Sequence, residues 1–128
     1  KRRNGGSDGA SIITRRDVFL QTTFVSLENS DRSPDSKELN DTSIEGVVRH
    51  SIETSLSNLG TDYLDAVIYH NFRAVATPFE EMIAAWRCLE GYVDRGVIRY
   101  LGIDHVYDLN YLSRLVTESR IKPTIVQN

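Results

Sequence analysis

The stretch TSIEGVVRHSIETSLSNLGTDYLDAVIYH, residues 42–70, decides the fold. Thr42 and Glu45 are spaced as a capping box, in which a hydroxyl and a carboxylate satisfy the first free N–H groups of a helix. Ile44, Val47, Val48, Ile52, Leu56 and Leu59 then follow the helical period and make one apolar stripe. Gly60 stands where a helix would end in the left-handed conformation. Residues 62–70, DYLDAVIYH, read as a strand. Its inner part is continuously apolar, as expected of a strand covered by helices. It runs out into His70 and Asn71, so an ionisable ring stands where a buried run stops.

The same unit recurs on both sides. Residues 18–24, VFLQTTF, read as a strand rich in β-branched and aromatic residues. A polar connection over residues 25–42 follows, long enough to be either functional or disordered. After His70, Thr77 is placed as a cap, Pro78 at the first helical position and Glu80 at the third. Phe79, Met82, Ile83, Trp86, Leu89 and Val93 form the next stripe, and Gly96 ends it. Residues 97–103, VIRYLGI, are a strand. Asp108 caps a third helix that carries Leu109, Leu112, Leu115 and Val116, and Pro123 opens a last strand, TIVQ. The pattern β-α-β-α-β-α-β predicts parallel strands joined by right-handed helical crossovers. Part of a (β/α) barrel and a small doubly wound sheet both fit it.

Parallel strands end on one side of their sheet, and ligands bind at those ends in both architectures. The residues there are Thr23-Phe24, His70-Asn71, Asp104-His105 and Gln127-Asn128. With the strands in chain order, His70 and the Asp104-His105 pair share one rim. Each residue also has a plainer reading: a solvated histidine at 70, a turn-capping aspartate at 104, a surface histidine at 105. His50 on a helix flank, Cys88 beside a stripe and Trp86 within one read as structural. The histidines and the cysteine lack ligand spacing such as HxxxH or CxxC, so no metal site is expected. No GxSxG elbow points to serine hydrolysis, and no GxGxxG follows a strand.

The bulk properties agree with a globular domain. The 128 residues are 40% hydrophobic and 26% charged, with 15 Lys and Arg against 18 Asp and Glu. A net charge of −3 offers no attraction to nucleic acid or to an anionic membrane, and neither is expected as a partner. No apolar run is long enough to span a bilayer. A single cysteine forms no internal disulfide and suits a reducing, cytoplasmic compartment. Residues 1–14, with NGGSDG and little apolar content, read as a mobile arm before a domain over residues 15–128.

Four segments together resemble the aldo-keto reductases. SIETSLSNLGTDYLDAVIYHNF, residues 51–72, resembles the family's helix ending SL..L..DY.D and the following strand that ends in histidine. WRCLEGYVDRGVIRYLGID, residues 86–104, resembles W..lE.lv..GkvR.iGiSN. KPTIVQN, residues 122–128, resembles kPavvQN, and RRDVFLQTTF, residues 15–24, resembles R.dvflqTKf of fungal members. The match runs in order from about Arg16 to Asn128. It implies a partial (β/α)8 TIM barrel, an α/β fold of about four parallel βα units that correspond to the third to sixth strands. It also implies hydride transfer from NADPH to a small carbonyl substrate, an aldehyde or ketone. His70 matches the catalytic histidine that orients the carbonyl. Asp104 and His105 stand at the Ser-Asn pair that holds the nicotinamide, and Gln127 matches the glutamine that contacts its carboxamide.

The departures carry their own expectation. Thr23 occupies the position of the catalytic lysine, which lowers the pKa of a general-acid tyrosine. A threonine has no charge with which to do so. Neither Tyr63 nor Tyr107 fits that tyrosine by motif, and the tetrad's tyrosine and aspartate are expected before the matched stretch. The isolated chain is therefore expected to be inactive; a non-catalytic binding module and a gene remnant are the alternatives. Four strands leave two open edges, so the chain is expected either to pair with a partner that covers them, to fold poorly alone, or to be a fragment of a longer product.

Overall fold

The computed structural model describes residues 12–26, 41–71 and 78–128. The expectations of a mobile arm over 1–14 and a polar connection over 25–42 fall largely outside these residues, and the cap at Thr77 falls entirely outside. The elements are β1 (Gln21–Val25), α1 (Ile44–Leu59), β2 (Leu64–His70), α2 (Phe79–Asp94), β3 (Ile98–Asp104), α3 (Leu109–Glu118) and β4 (Ile125–Gln127).

Local chemistry explains the ends. Ser43, not Thr42, caps α1: its Oγ accepts from the Gly46 N–H at 3.1 Å. Gly60 adopts φ 62°, the left-handed turn that glycine takes without a Cβ clash. Asp108 caps α3, with Oδ1 accepting from the Asn110 N–H at 2.8 Å. Pro78 precedes the first helical residue of α2 rather than occupying it. β1 begins later than the apolar run suggests. Residues 15–17 close a 3-10 turn in which the Thr14 N–H donates to Asp17 Oδ2 at 2.8 Å and the Asp17 N–H to Thr14 O at 3.0 Å.

The four strands form one parallel sheet in the order β1-β2-β3-β4. Phe24, Val67, Tyr69, Leu101 and Ile103 lie on one face and join Val48, Ile52, Met82, Trp86, Leu89 and Leu115 of the helices in a single buried cluster. The other face carries Thr23, Ala66, Ile68, Gly102 and Ile125, which share one register parity. Strands in chain order, with helices packed on one face, make an arc of a (β/α) barrel. A doubly wound sheet would reverse its strand order and carry helices on both faces. Among the described residues, no helix is long and apolar enough to cross a membrane.

The start of the domain is anchored by a buried charge. Asp65 Oδ2 accepts from the Leu20 N–H at 2.9 Å and lies 2.8 Å from Arg15 Nη1. Arg15 also donates through Nη2 to Tyr63 O at 2.8 Å. Burial pushes the Asp65 carboxyl up, but the Leu20 N–H, Arg15 and Arg99 outweigh it and hold the carboxyl below its usual range. A depressed folded pKa gives stability that is present above the unfolded value, about 3.9, and lost as pH falls through the folded one. Asp65→Asn is therefore expected to cost about 1–3 kcal/mol near neutral pH. Urea unfolding of both proteins should show that gap closing in strong acid. A gap that stays constant with pH would remove the ionised carboxylate as its source.

Candidate functional site

The register of the sheet lines up the strand ends. Val25, His70, Asp104 and Gln127 are successive partners across β1, β2, β3 and β4, and so form one row on the face away from the helices. Thr23 lies one repeat earlier on that face, paired with Ile68. Two residues of strand separate it from the row, about 7 Å. Chain order alone predicts that His70 and Asp104 share a rim. The structure adds that they are direct neighbours.

Asp104 is the hub. Its Oδ2 lies 2.6 Å from His70 Nδ1, and its Oδ1 accepts from the Asn71 backbone N–H at 2.8 Å. Oδ1 also lies 3.2 Å from His105 Nδ1. The two imidazoles meet edge to face, with ring centroids 5.0 Å apart. Burial pushes the Asp104 carboxyl up. The bonds from His70, the Asn71 N–H and His105 act in the other direction and leave it below the usual carboxylate range. A carboxylate in that state accepts from each ring, which orients His70 as a fixed group at the rim.

His105 turns back on the site. It has φ 52°, a left-handed conformation that asparagine, aspartate and histidine adopt more readily than other side chains. Its N–H donates to Gln127 O at 2.9 Å, and the Val106 N–H donates to Asn128 Oδ1 at 3.1 Å. The turn after β3 is thus stitched to the end of β4. Tyr107, largely exposed, places its ring 6.4 Å from that of His105. Gln127 is exposed at the end of the row.

The four candidate site residues therefore fall in one place, and Asn71, already placed at a strand end, and Tyr107 belong with them. Asn71 supplies a backbone donor to Asp104, which no side-chain motif announces. Tyr107 joins through its ring, and its only signal in the sequence is its position two residues after His105. Trp86 is fully buried, and Cys88 packs against the core with its thiol pushed up by burial and by Glu45, in line with their structural readings. Local ligand spacing does not reveal that two histidines and an aspartate converge, because two strands assemble that cluster.

The Aldo/keto reductase family model matches residues 12–128. Among curated relatives, an uncharacterized oxidoreductase, YtbE of Bacillus subtilis, is 39% identical over 60% of this chain and 25% of its own length. The NAD(P)H-dependent D-xylose reductase of Pachysolen tannophilus is 29% identical over 91% of this chain and 38% of its own. Among solved structures, the aldo-keto reductase MGS-M4 from a deep-sea metagenome library superposes with a TM-score of 0.69. It is 23% identical, and the match covers 93% of this chain and 37% of that one. The chain thus spans between a quarter and two fifths of the length of these proteins.

Proposed function

Because the chain belongs to the aldo/keto reductase family, we propose that it forms the substrate and nicotinamide rim of an NADPH-dependent oxidoreductase that reduces an aldehyde or ketone. The observation that carries this reading is the row His70, Asp104, Gln127 at the carboxyl ends of adjacent parallel strands. NADPH, when bound, supplies the hydride. His70 orients the substrate carbonyl by a hydrogen bond, and Asp104 is the positioning residue that holds its ring. Gln127 offers both a donor and an acceptor to the nicotinamide carboxamide, which needs both. Asp104 fits the cofactor less well than the family's serine. Its oxygens already accept from His70 and Asn71, and an ionised carboxylate has no hydrogen to donate.

The 128-residue chain alone is expected to give no NADPH oxidation with an aromatic aldehyde above the protein-free rate. Thr23→Lys is expected to leave that result unchanged, because a lysine without the general-acid tyrosine has no proton to help transfer. Turnover that His70→Ala abolishes would overturn the expected inactivity. The oxidoreductase reading is tested on the gene product purified from its source cells. Carbonyl-dependent NADPH oxidation supports it. Its absence across a panel of aldehydes and ketones would favour a non-catalytic binding module.

A further inference from the structure

We propose that His70, Asp104 and His105 form a binding site for a divalent transition-metal ion, with Zn²⁺ as its occupant. One nitrogen of each imidazole and one oxygen of the carboxylate lie within 4.8 Å of one another. Two imidazoles and a carboxylate are a donor set that suits Zn²⁺, and three protein ligands leave a fourth position for water or another small ligand.

The three donor groups, within 4.8 Å of one another, need a small inward shift to hold an ion. Ligand atoms about 2.0–2.1 Å from a tetrahedral ion stand roughly 3.3 Å from one another. His105 Nδ1 is 3.2 Å from Asp104 Oδ1, and His70 Nδ1 is 2.6 Å from Oδ2, the other oxygen of the same carboxylate, so an ion held by one oxygen draws the second ring in from its present hydrogen bond. The ring of His105 is about half exposed, so it can swing to close the remaining edge and leaves an entry path from solvent. On binding, each ring moves its hydrogen, through solvent, from the Nδ1 that now faces Asp104 to Nε2, and the freed Nδ1 lone pair turns toward the ion. The positive ion replaces the hydrogens that now bridge the rings to Asp104.

Three further features support a held site rather than a chance meeting of side chains. His70 and Asp104 are register partners on adjacent strands, the rigid kind of element on which ligand geometry is best kept. The Asn71 N–H fixes the carboxylate from outside, as groups around metal ligands commonly do. In addition, the left-handed backbone of His105 is held by the Gln127 carbonyl. Such a conformation costs free energy and persists only where its surroundings enforce it.

This inference goes beyond the oxidoreductase reading, and its test needs neither NADPH nor aldehyde. The chain, stripped with a chelator, is titrated with Zn²⁺ by calorimetry and with Co²⁺ by visible absorption. One ion per chain is expected, together with ligand-field bands of a Co²⁺ centre bound by nitrogen and oxygen. His105→Asn keeps a residue that tolerates positive φ but removes the imidazole. It is expected to retain its circular dichroism and to bind Zn²⁺ at least about 100-fold more weakly, since even outer partners of a metal site are worth about 10–100-fold. His70→Gln is expected to do the same, and His50→Gln, on the flank of α1, to bind as wild type does. Absence of saturable Zn²⁺ binding by the folded wild type would overturn the site. So would unchanged affinity in His105→Asn and His70→Gln. Should either variant fail to fold, the wild-type Co²⁺ spectrum decides: ligand-field bands support the site, and their absence overturns it.

Discussion

Trp86→Ala is expected to lower the unfolding free energy by about 3–5 kcal/mol, as removal of a buried aromatic ring does. The loss has two parts. The ring is fully buried in the cluster shared by α1, α2, α3 and the sheet, so its removal leaves a cavity that fixed neighbours cannot fill. Its indole N–H also donates to Ile121 O at 2.9 Å, at the turn that carries the chain from α3 into β4. The buried Glu90 accepts from the Ile121 N–H, so α2 grips both polar groups of one residue in that turn. Trp86→Phe keeps most of the apolar volume but leaves the Ile121 carbonyl without its donor, and should cost about 1–3 kcal/mol. Against a total of about 5–15 kcal/mol for a domain, the alanine change takes away a large fraction. Urea unfolding of the three proteins checks both values. An alanine midpoint shifted by less than about 1 kcal/mol, after multiplication by a common slope, would show that the site collapses to fill the cavity.

Gly102→Ala is expected to cost about 1–3 kcal/mol and to loosen β4 in particular. A methyl there would lie 2.5 Å from Ile68 Cδ1, 2.8 Å from Ile125 Cβ and 2.9 Å from Ile125 O. The tip of Ile68 can rotate away, but the Ile125 backbone moves only if β4 moves. β4 has three residues and is paired only with β3 among the described strands, so it is the part that yields. Hydrogen exchange reads this directly. The Thr124 N–H, bonded to Leu101 O at 2.8 Å, and the His105 N–H, bonded to Gln127 O, should both exchange faster in the variant. Because the second of these bonds holds His105 in place, the same substitution should disturb the rim. Unchanged exchange at both amides would mean that Ile68 alone absorbs the methyl.

The elements that were legible in the sequence are those with a strong local period or a definite cap. The helices over Ile44–Leu59 and Phe79–Asp94, the turn at Gly60 and the cap at Asp108 stand where the pattern puts them, although Ile44 and Leu59, at the two ends of the first stripe, are exposed. Boundaries were lost where two local solutions compete. Thr42 and Ser43 are both good caps, and Ser43 wins because its oxygen reaches the Gly46 N–H. Val18 and Phe19 look like strand, but the turn closed by Thr14 and Asp17 takes up the preceding residues, and pairing starts only at Gln21. For the site, strand ends identify the rim residues without describing their contacts. His70 and Asp104 lie 34 positions apart and meet only through sheet register, and the left-handed turn at His105 depends on a carbonyl from β4. No local pattern contains either fact.

The row from Val25 to Gln127 has a consequence for how this chain can change over generations. Side chains alternate between the two faces of a strand, so a single-residue insertion or deletion inside β2 or β3 would turn every later side chain of that strand to the opposite face. His70 or Asp104 would then point into the helical layer, and the cluster would vanish without any substitution in it. The connections between elements carry no such constraint, since added residues there leave the register intact. Drift in length should therefore gather in the loops, while the number of residues from Leu64 to His70 and from Ile98 to Asp104 stays frozen. What inheritance must preserve in this rim is a count as much as a set of side chains.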